Sequence, residues 1–257
     1  MQTIKRRKES MKRKSVKQSF LRTCREIMVA CFFPDRCPLC DNVISYGNKL
    51  CLDCEKKVPY IKEPVCKKCG KQLENERQEF CSDCSRKKHH YIQGKAVFSY
   101  QKEMKLSMYR FKYSNRREYA KFYAEKAAEQ YADWINSRGI EAIVPVPLYV
   151  RKQRHRGYNQ AEVFAKYLAR EVSLPMAGKM IKRVRNTTPQ KELNDHQRKD
   201  NLKGAFQVLT NIVKYNKILL VDDIYTTGAT VDAAAEALKK AGVTEVYVLC
   251  ICIGEGC

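Results

Sequence analysis

The sequence predicts an α/β protein, a parallel sheet flanked by helices, preceded by a small cysteine-rich module. Residues 218–221 (Ile-Leu-Leu-Val) are apolar at every position, which fits a strand buried on both faces, as in a parallel sheet. Residues 140–146 form a second apolar strand candidate, and each of the two runs precedes a stretch with helical spacing. Those stretches carry Ala161, Phe164, Ala165, Leu168 and Val172 after the first run in the chain, and Val231, Ala234, Ala235, Leu238 and Ala241, stopped by Gly242, after the second. The third observation is the cysteine pattern: of 13 cysteines, eight fall in four Cys-x-x-Cys pairs.

The 257 residues allow one large domain or two smaller ones, and a hydrophobic fraction of 44% is that of a globular protein. Lys and Arg total 50 against 28 Asp and Glu, a formal charge of +22 that favours a polyanionic partner or an anionic surface. No apolar run approaches the roughly 18 residues of a membrane helix. Met28-Val29-Ala30-Cys31 faintly resembles a lipoprotein cleavage site, but Arg22 and Arg25 occupy its apolar segment, so no export signal is expected. A reducing cytoplasm fits best.

Residues 1–34 read as a basic tail and lead-in, with ten basic residues facing only Glu9 over the first 25 positions. The start of the tail is expected to be a disordered, solvated arm, suited to non-specific contact with nucleic acid or lipid headgroups. Met11 and Met28 are alternative starts. Residues 35–90 carry the pairs Cys37/Cys40, Cys51/Cys54, Cys66/Cys69 and Cys81/Cys84, separated by ten, eleven and eleven residues. Such a turn presents two thiolates to one metal ion, and two turns complete a four-sulfur site. Eight ligands therefore predict two structural zinc ions, supplying folding energy that a segment poor in large apolar residues lacks. Sequential pairing is simplest, and an interleaved cross-brace stays open. His89 and His90 either replace a ligand or sit in a polar linker.

Beyond Gly94, residues 95–100 read as a strand and 104–113 as a short helical or extended lead-in. A helix over about 118–136 places Tyr119, Phe122, Tyr123, Ala127, Tyr131 and Trp134 in one core stripe, ended by Gly139. The strand over 140–146 runs into Pro145-Val146-Pro147-Leu148, a rigid loop at the sheet end where open α/β folds bind ligands. Arg151, Arg154 and Arg156 follow, suited to a pyrophosphate or another polyanion. Residues 183–206 form a long polar stretch, either mobile or functional. Residues 243–253 read as a last strand, with Cys250 and Cys252 as buried free thiols. Cys24, Cys31 and Cys257 receive no role.

After the strand at 218–221 come Asp222 and Asp223, then Thr226-Thr227-Gly228-Ala229-Thr230 and a helix. Helix-start N–H groups, threonine hydroxyls and the positive end of the helix dipole favour an anion, and Gly228 allows close backbone approach. The two carboxylates suit sugar hydroxyls. A ribose 5-phosphate satisfies both halves. The run resembles the phosphoribosyl pyrophosphate (PRPP) signature of type I phosphoribosyltransferases. That resemblance implies ribose hydroxyls on Asp222 and Asp223 (also the catalytic candidates), and the 5′-phosphate on Thr226, Thr227, Gly228, Ala229 and Thr230. It further implies pyrophosphate contacts from Pro145, Val146, Pro147, Arg183 and Arg185, magnesium carried with PRPP, and a hood over 183–206.

Taken in order, the cysteine pairs, Pro145-Val-Pro-Leu with Arg156-Gly-Tyr-Asn-Gln160, the hood region and Val221-Asp-Asp-Ile-Tyr-Thr-Thr-Gly-Ala-Thr230 resemble the ComF family of competence proteins. The resemblance implies a double zinc ribbon over 35–90 and a type I phosphoribosyltransferase-like domain over 91–257. It also implies a part in uptake of single-stranded DNA, with PRPP, the DNA and a membrane-associated, ComFA-like translocase as partners, and a place in the cytoplasm or at the inner face of the membrane. The alternative is a PRPP-dependent transferase of nucleotide metabolism with an unknown acceptor. Amidophosphoribosyltransferases share the loop but begin with a catalytic cysteine. This chain begins Met1-Gln2, so glutamine-fed purine synthesis is not expected.

Overall fold

The computed structural model describes residues 34–45, 47–185, 204–209 and 214–254. The basic tail, most of the hood stretch, and Cys24, Cys31 and Cys257 lie outside these residues. The chain divides into two compact units, Met1–Lys56 and Lys57–Cys257.

The described part of the first unit is a turn-rich segment around the first two cysteine pairs. The Cys37 N–H donates to Asn42 O at 2.8 Å and Asp41 N–H to Cys37 O at 2.8 Å, closing a knuckle flanked by the Arg36–Val43 bridge. Leu39 and Leu50 are buried beside Cys37 and Cys54, and one short helix, α1 (Leu52–Glu55), carries Cys54. With so few apolar residues, this unit depends on its cysteines for order.

The second unit opens with the equivalent knuckle: Cys66 N–H donates to Lys71 O at 2.7 Å, Gly70 N–H to Cys66 O at 2.9 Å, and Val65 bridges Gln72. Helix α2 (Ser82–Arg86) carries Cys84. A four-stranded sheet follows in the order β1 (Gly94–Ser99), β6 (Glu245–Ile253), β5 (Lys217–Tyr225), β2 (Ala142–Pro145), with every neighbouring pair parallel. Strands β5 and β6 are central and nearly all their residues from 218 to 221 and 246 to 253 are buried, hence the unbroken apolar runs. β5 runs on past the apolar run through both aspartates to Tyr225, so the acids belong to the strand's last pairs, with Asp222 opposite Cys250.

Helices α3 (Lys102–Tyr113), α4 (Tyr119–Ser137), α5 (Val150–Arg156), α6 (Gln160–Glu171) and α7 (Ala229–Lys240) complete the unit, with an antiparallel pair β3 (Ile181–Arg183) and β4 (Phe206–Val208). The 104–113 lead-in is therefore helical, and the basic stretch after Pro147 begins with a helix of its own. α7 lays Val231, Ala234, Ala235 and Leu238 onto Ile218, Leu220, Val246 and Val248. The same apolar cluster contains Cys66, Cys69, Leu73, Cys81 and Tyr91, so the second cysteine module shares a core with the sheet. Elsewhere Phe111, Phe122 and Tyr123 pack edge-on with ring centroids 5.4 and 5.9 Å apart, and Trp134 meets Tyr247 at 5.8 Å. Asn159 caps α6 by accepting from Ala161 N–H, and its amide donates to Val146 O, tying the helix to the proline loop.

Candidate functional site

The site grows from the C-terminal end of β5. Asp222 and Asp223 are half-buried, and the Asp222 carboxylate accepts the Asp223 N–H at 2.8 Å. Loss of water around Asp222, then the charge of Asp223, push its pKa up to about 7. Asp223 is held by Lys112 from α3, with Nζ 2.9 Å from Oδ2 and side chains only 15% and 14% exposed. Burial lowers the pKa of Arg183, and its charge and that of Asp222 act on each other. The Arg183 guanidinium lies over the Phe206 ring at 5.4 Å from its centroid. Arg185 is exposed.

The loop after β5 turns on Gly228, which has φ +76°. A side chain there would place its Cβ 2.2 Å from the Tyr225 hydroxyl, so the ring of Tyr225 fills the space under the turn. The turn then opens α7 at Ala229. Thr227 Oγ1 is buried and has no hydrogen-bond partner among the described residues, a polar atom that a ligand oxygen would satisfy. Thr226 is exposed, while Ala229 and Thr230 are half-buried at the helix start. The predicted loop residues thus lie together at the C-terminal end of β5, inside the sheet rather than at its edge. At the proline loop, Pro145 and Val146 are buried, Val146 N–H donates to Val221 O at 2.9 Å, and its carbonyl accepts from Asn159. The backbone of Val146 is therefore engaged in holding β2 and α6.

Three residues under the loop carry no sequence signal for this role. Tyr225 and Tyr91 share a buried hydroxyl–hydroxyl hydrogen bond of 2.8 Å, and burial raises both pKa values well above the usual tyrosine range. His89 stacks on Tyr91 with ring centroids 4.9 Å apart. Its Nδ1 is 3.5 Å from Asp232 Oδ1 on α7, its Nε2 is 3.6 Å from Cys84 Sγ, and its side chain is 3% exposed. His90 N–H donates to the same Asp232 carboxylate at 2.6 Å. His89 is thus a buried strut beside a cysteine rather than part of a solvated linker. Lys112, 111 positions before Asp223, is the fourth residue that sequence order does not associate with the site.

The four sulfur atoms of Cys37, Cys40, Cys51 and Cys54 lie within 4.8 Å of one another, as do those of Cys66, Cys69, Cys81 and Cys84. Sequential pairing therefore holds. A tetrahedral zinc with bonds of roughly 2.3 Å needs sulfurs about 3.8 Å apart, and Cys40–Cys51 and Cys69–Cys81 stand at 3.7 Å. Both clusters fit the ion.

A parallel sheet with an acid pair and a glycine turn at the end of its central strand, joined to paired four-cysteine clusters, defines a phosphoribosyltransferase-type protein with zinc ribbons. Residues 28–85 match the model of the double zinc ribbon domain, and residues 159–256 match that of the phosphoribosyl transferase domain. Competence protein F of Haemophilus influenzae is 33% identical over 84% of this chain and 96% of its own length. The DNA utilization protein YhgH of Salmonella typhimurium is 30% identical over 85% and 97%. Competence protein ComFC of Bacillus subtilis is 26% identical over 80% and 89%. The chain belongs to the ComF family of competence and DNA utilization proteins. No helix among the described residues is long and apolar enough to cross a membrane.

Proposed function

We propose that this protein takes part in DNA uptake and holds PRPP in the loop after β5. The observation that supports the sugar-phosphate reading best is the joint placement of Asp222, Asp223 and the Gly228 turn, with an unsatisfied Thr227 hydroxyl beside them. Asp222 and Asp223 accept the ribose hydroxyls, and the amides and hydroxyls of residues 226–230 receive the 5′-phosphate at the helix start. Arg183 and Arg185, with the loop around Pro145, Val146 and Pro147, face the pyrophosphate. Magnesium, when bound with PRPP, neutralises the leaving pyrophosphate. The protein's share is orientation and charge stabilisation rather than a covalent bond. The DNA role is supported by the names of the relatives and by the charge of +22.

Titration calorimetry with PRPP and magnesium tests the first half. Binding that disappears in folded Asp222→Ala/Asp223→Ala supports it, and binding that survives there overturns the site. The same titration with single-stranded DNA present distinguishes one phosphate site from two. A second reading is turnover: the retained acid pair suits a transferase with an unidentified acceptor, and pyrophosphate release on screening nucleobases and amines would establish it.

A further inference from the structure

Helix α3 buries Met104, Met108 and Phe111 completely, and Ser107 Oγ bonds the buried Tyr123 hydroxyl at 2.6 Å. That face is spoken for. Another face, by contrast, carries Leu106, Tyr109 and Tyr113 at steps of three and four, so they form one stripe, and they are 57%, 61% and 51% exposed. Tyr109 and Tyr113 stand with ring centroids 5.1 Å apart. The Arg156 guanidinium, from the end of α5, lies over Tyr113 at 5.1 Å and donates to its hydroxyl at 3.1 Å. Lys105 and Arg110 lie along the same helix, whose only acid is Glu103. Two large exposed aromatic rings flanked by cations are an expensive surface to leave bare in water.

We propose that this stripe is a binding platform for single-stranded nucleic acid, with unpaired bases stacking on Tyr109 and Tyr113 and phosphates held by Lys105, Arg110 and Arg156. Aromatic faces accept any base, and cations track the backbone, which is the chemistry of sequence-tolerant strand binding. Duplex DNA hides its base faces and would gain only the charge contacts. A bilayer is the poorer fit, because the helix has its continuous apolar side locked in the core and offers only this mixed stripe. The proposal rests on the DNA-handling half of the function above and gives it a location. Lys112, on an adjoining side of the same helix, reaches Asp223, so the platform is separate from the acid pair.

Fluorescence anisotropy of a labelled oligothymidylate with the full chain decides the matter. Tyr109→Ala/Tyr113→Ala should weaken binding by at least about tenfold with little change in its salt dependence, since stacking and not charge is lost. Phe80→Ala, an exposed aromatic on the cysteine module, should bind like the parent, and Tyr109→Phe/Tyr113→Phe should keep most of the affinity. An unchanged melting temperature shows that the double variant is folded. The platform is overturned if that variant binds within about twofold of the parent, or if the parent prefers phosphatidylglycerol vesicles to the oligonucleotide and the variant releases the vesicles. A parent chain with no affinity for the oligonucleotide overturns the DNA reading itself.

Discussion

Two cysteine clusters in this molecule are built on the same turn and kept in different company. In both, the N–H four residues after the first cysteine donates to that cysteine's carbonyl through a left-handed residue, Asp41 in one and Gly70 in the other. Aspartate tolerates that conformation when nothing crowds it. At Gly70 the backbone of Gly94 and Lys95 would lie 3.0 Å from any Cβ, and Gly94 N–H donates to Lys68 O at 2.7 Å. The first cluster is a small fold in itself. The second is the floor of the sheet unit, continued by Tyr91 and His89 to Tyr225 and α7, which flank the loop at residues 226–228. A repeated motif has thus been used once as a self-contained clip and once as a structural support for the sheet and the loop after β5.

The sharpest way to break this contrast is to remove one ligand from each cluster. Cys69→Ala should cost the sheet unit about 3–5 kcal/mol, roughly 10 °C of melting temperature, with faster hydrogen exchange in β1 and α7. Cys40→Ala should change exchange around its own knuckle and leave β1 and α7 as they are. Equal effects on α7 would erase the distinction. Exchanging the turn residues comes next. Gly70→Asp should destabilise the sheet unit by about 2–3 kcal/mol, because the side chain meets backbone, whereas Asp41→Gly should shift stability by only a few tenths. Urea midpoints measure both.

The tyrosine contact is expected to carry less. Tyr91→Phe or Tyr225→Phe should each cost about 1–2 kcal/mol, and the double variant less than the sum, a coupling read by a double-mutant cycle. Additive losses would mean that the two hydroxyls do not act together. A last test leaves both clusters untouched. Asp222 ionises near pH 7 in the folded chain and near the ordinary carboxylate value unfolded. The folded state therefore holds the extra proton between about pH 4 and 7, and stability falls as pH rises through that window. Asp222→Asn should flatten this part of the profile in urea titrations at pH 5 and pH 8.

What the sequence made legible was local. The apolar run at 218–221 marked the central strand because a strand buried on both sides has no polar positions to show. The aromatic stripe marked α4 to within a residue at each end, since its period follows from helix geometry. The cysteine spacing marked both clusters. What stayed hidden depends on pairing across long separations. No periodicity announces that β6, the last strand, inserts between β1 and β5, or that Lys112 meets Asp223. His89 read as a spare ligand or polar linker and Tyr91 drew no reading, because their partners, Asp232 and Tyr225, stand more than 130 positions away. The proline loop was legible as rigid, but not that the Val146 backbone is already engaged.

The core that the second cysteine cluster shares with the sheet also decides where the gene could be cut. A fragment beginning after the last cysteine pair would keep every residue from Asp222 to Thr230 and lose the cysteine cluster that packs beneath them. One beginning at residue 159, where the transferase match starts, would lose β1 and β2 as well. The workable seam falls between Lys56 and Lys57. Recombination there would trade away one metal clip and inherit a loop that still stands on its own footing.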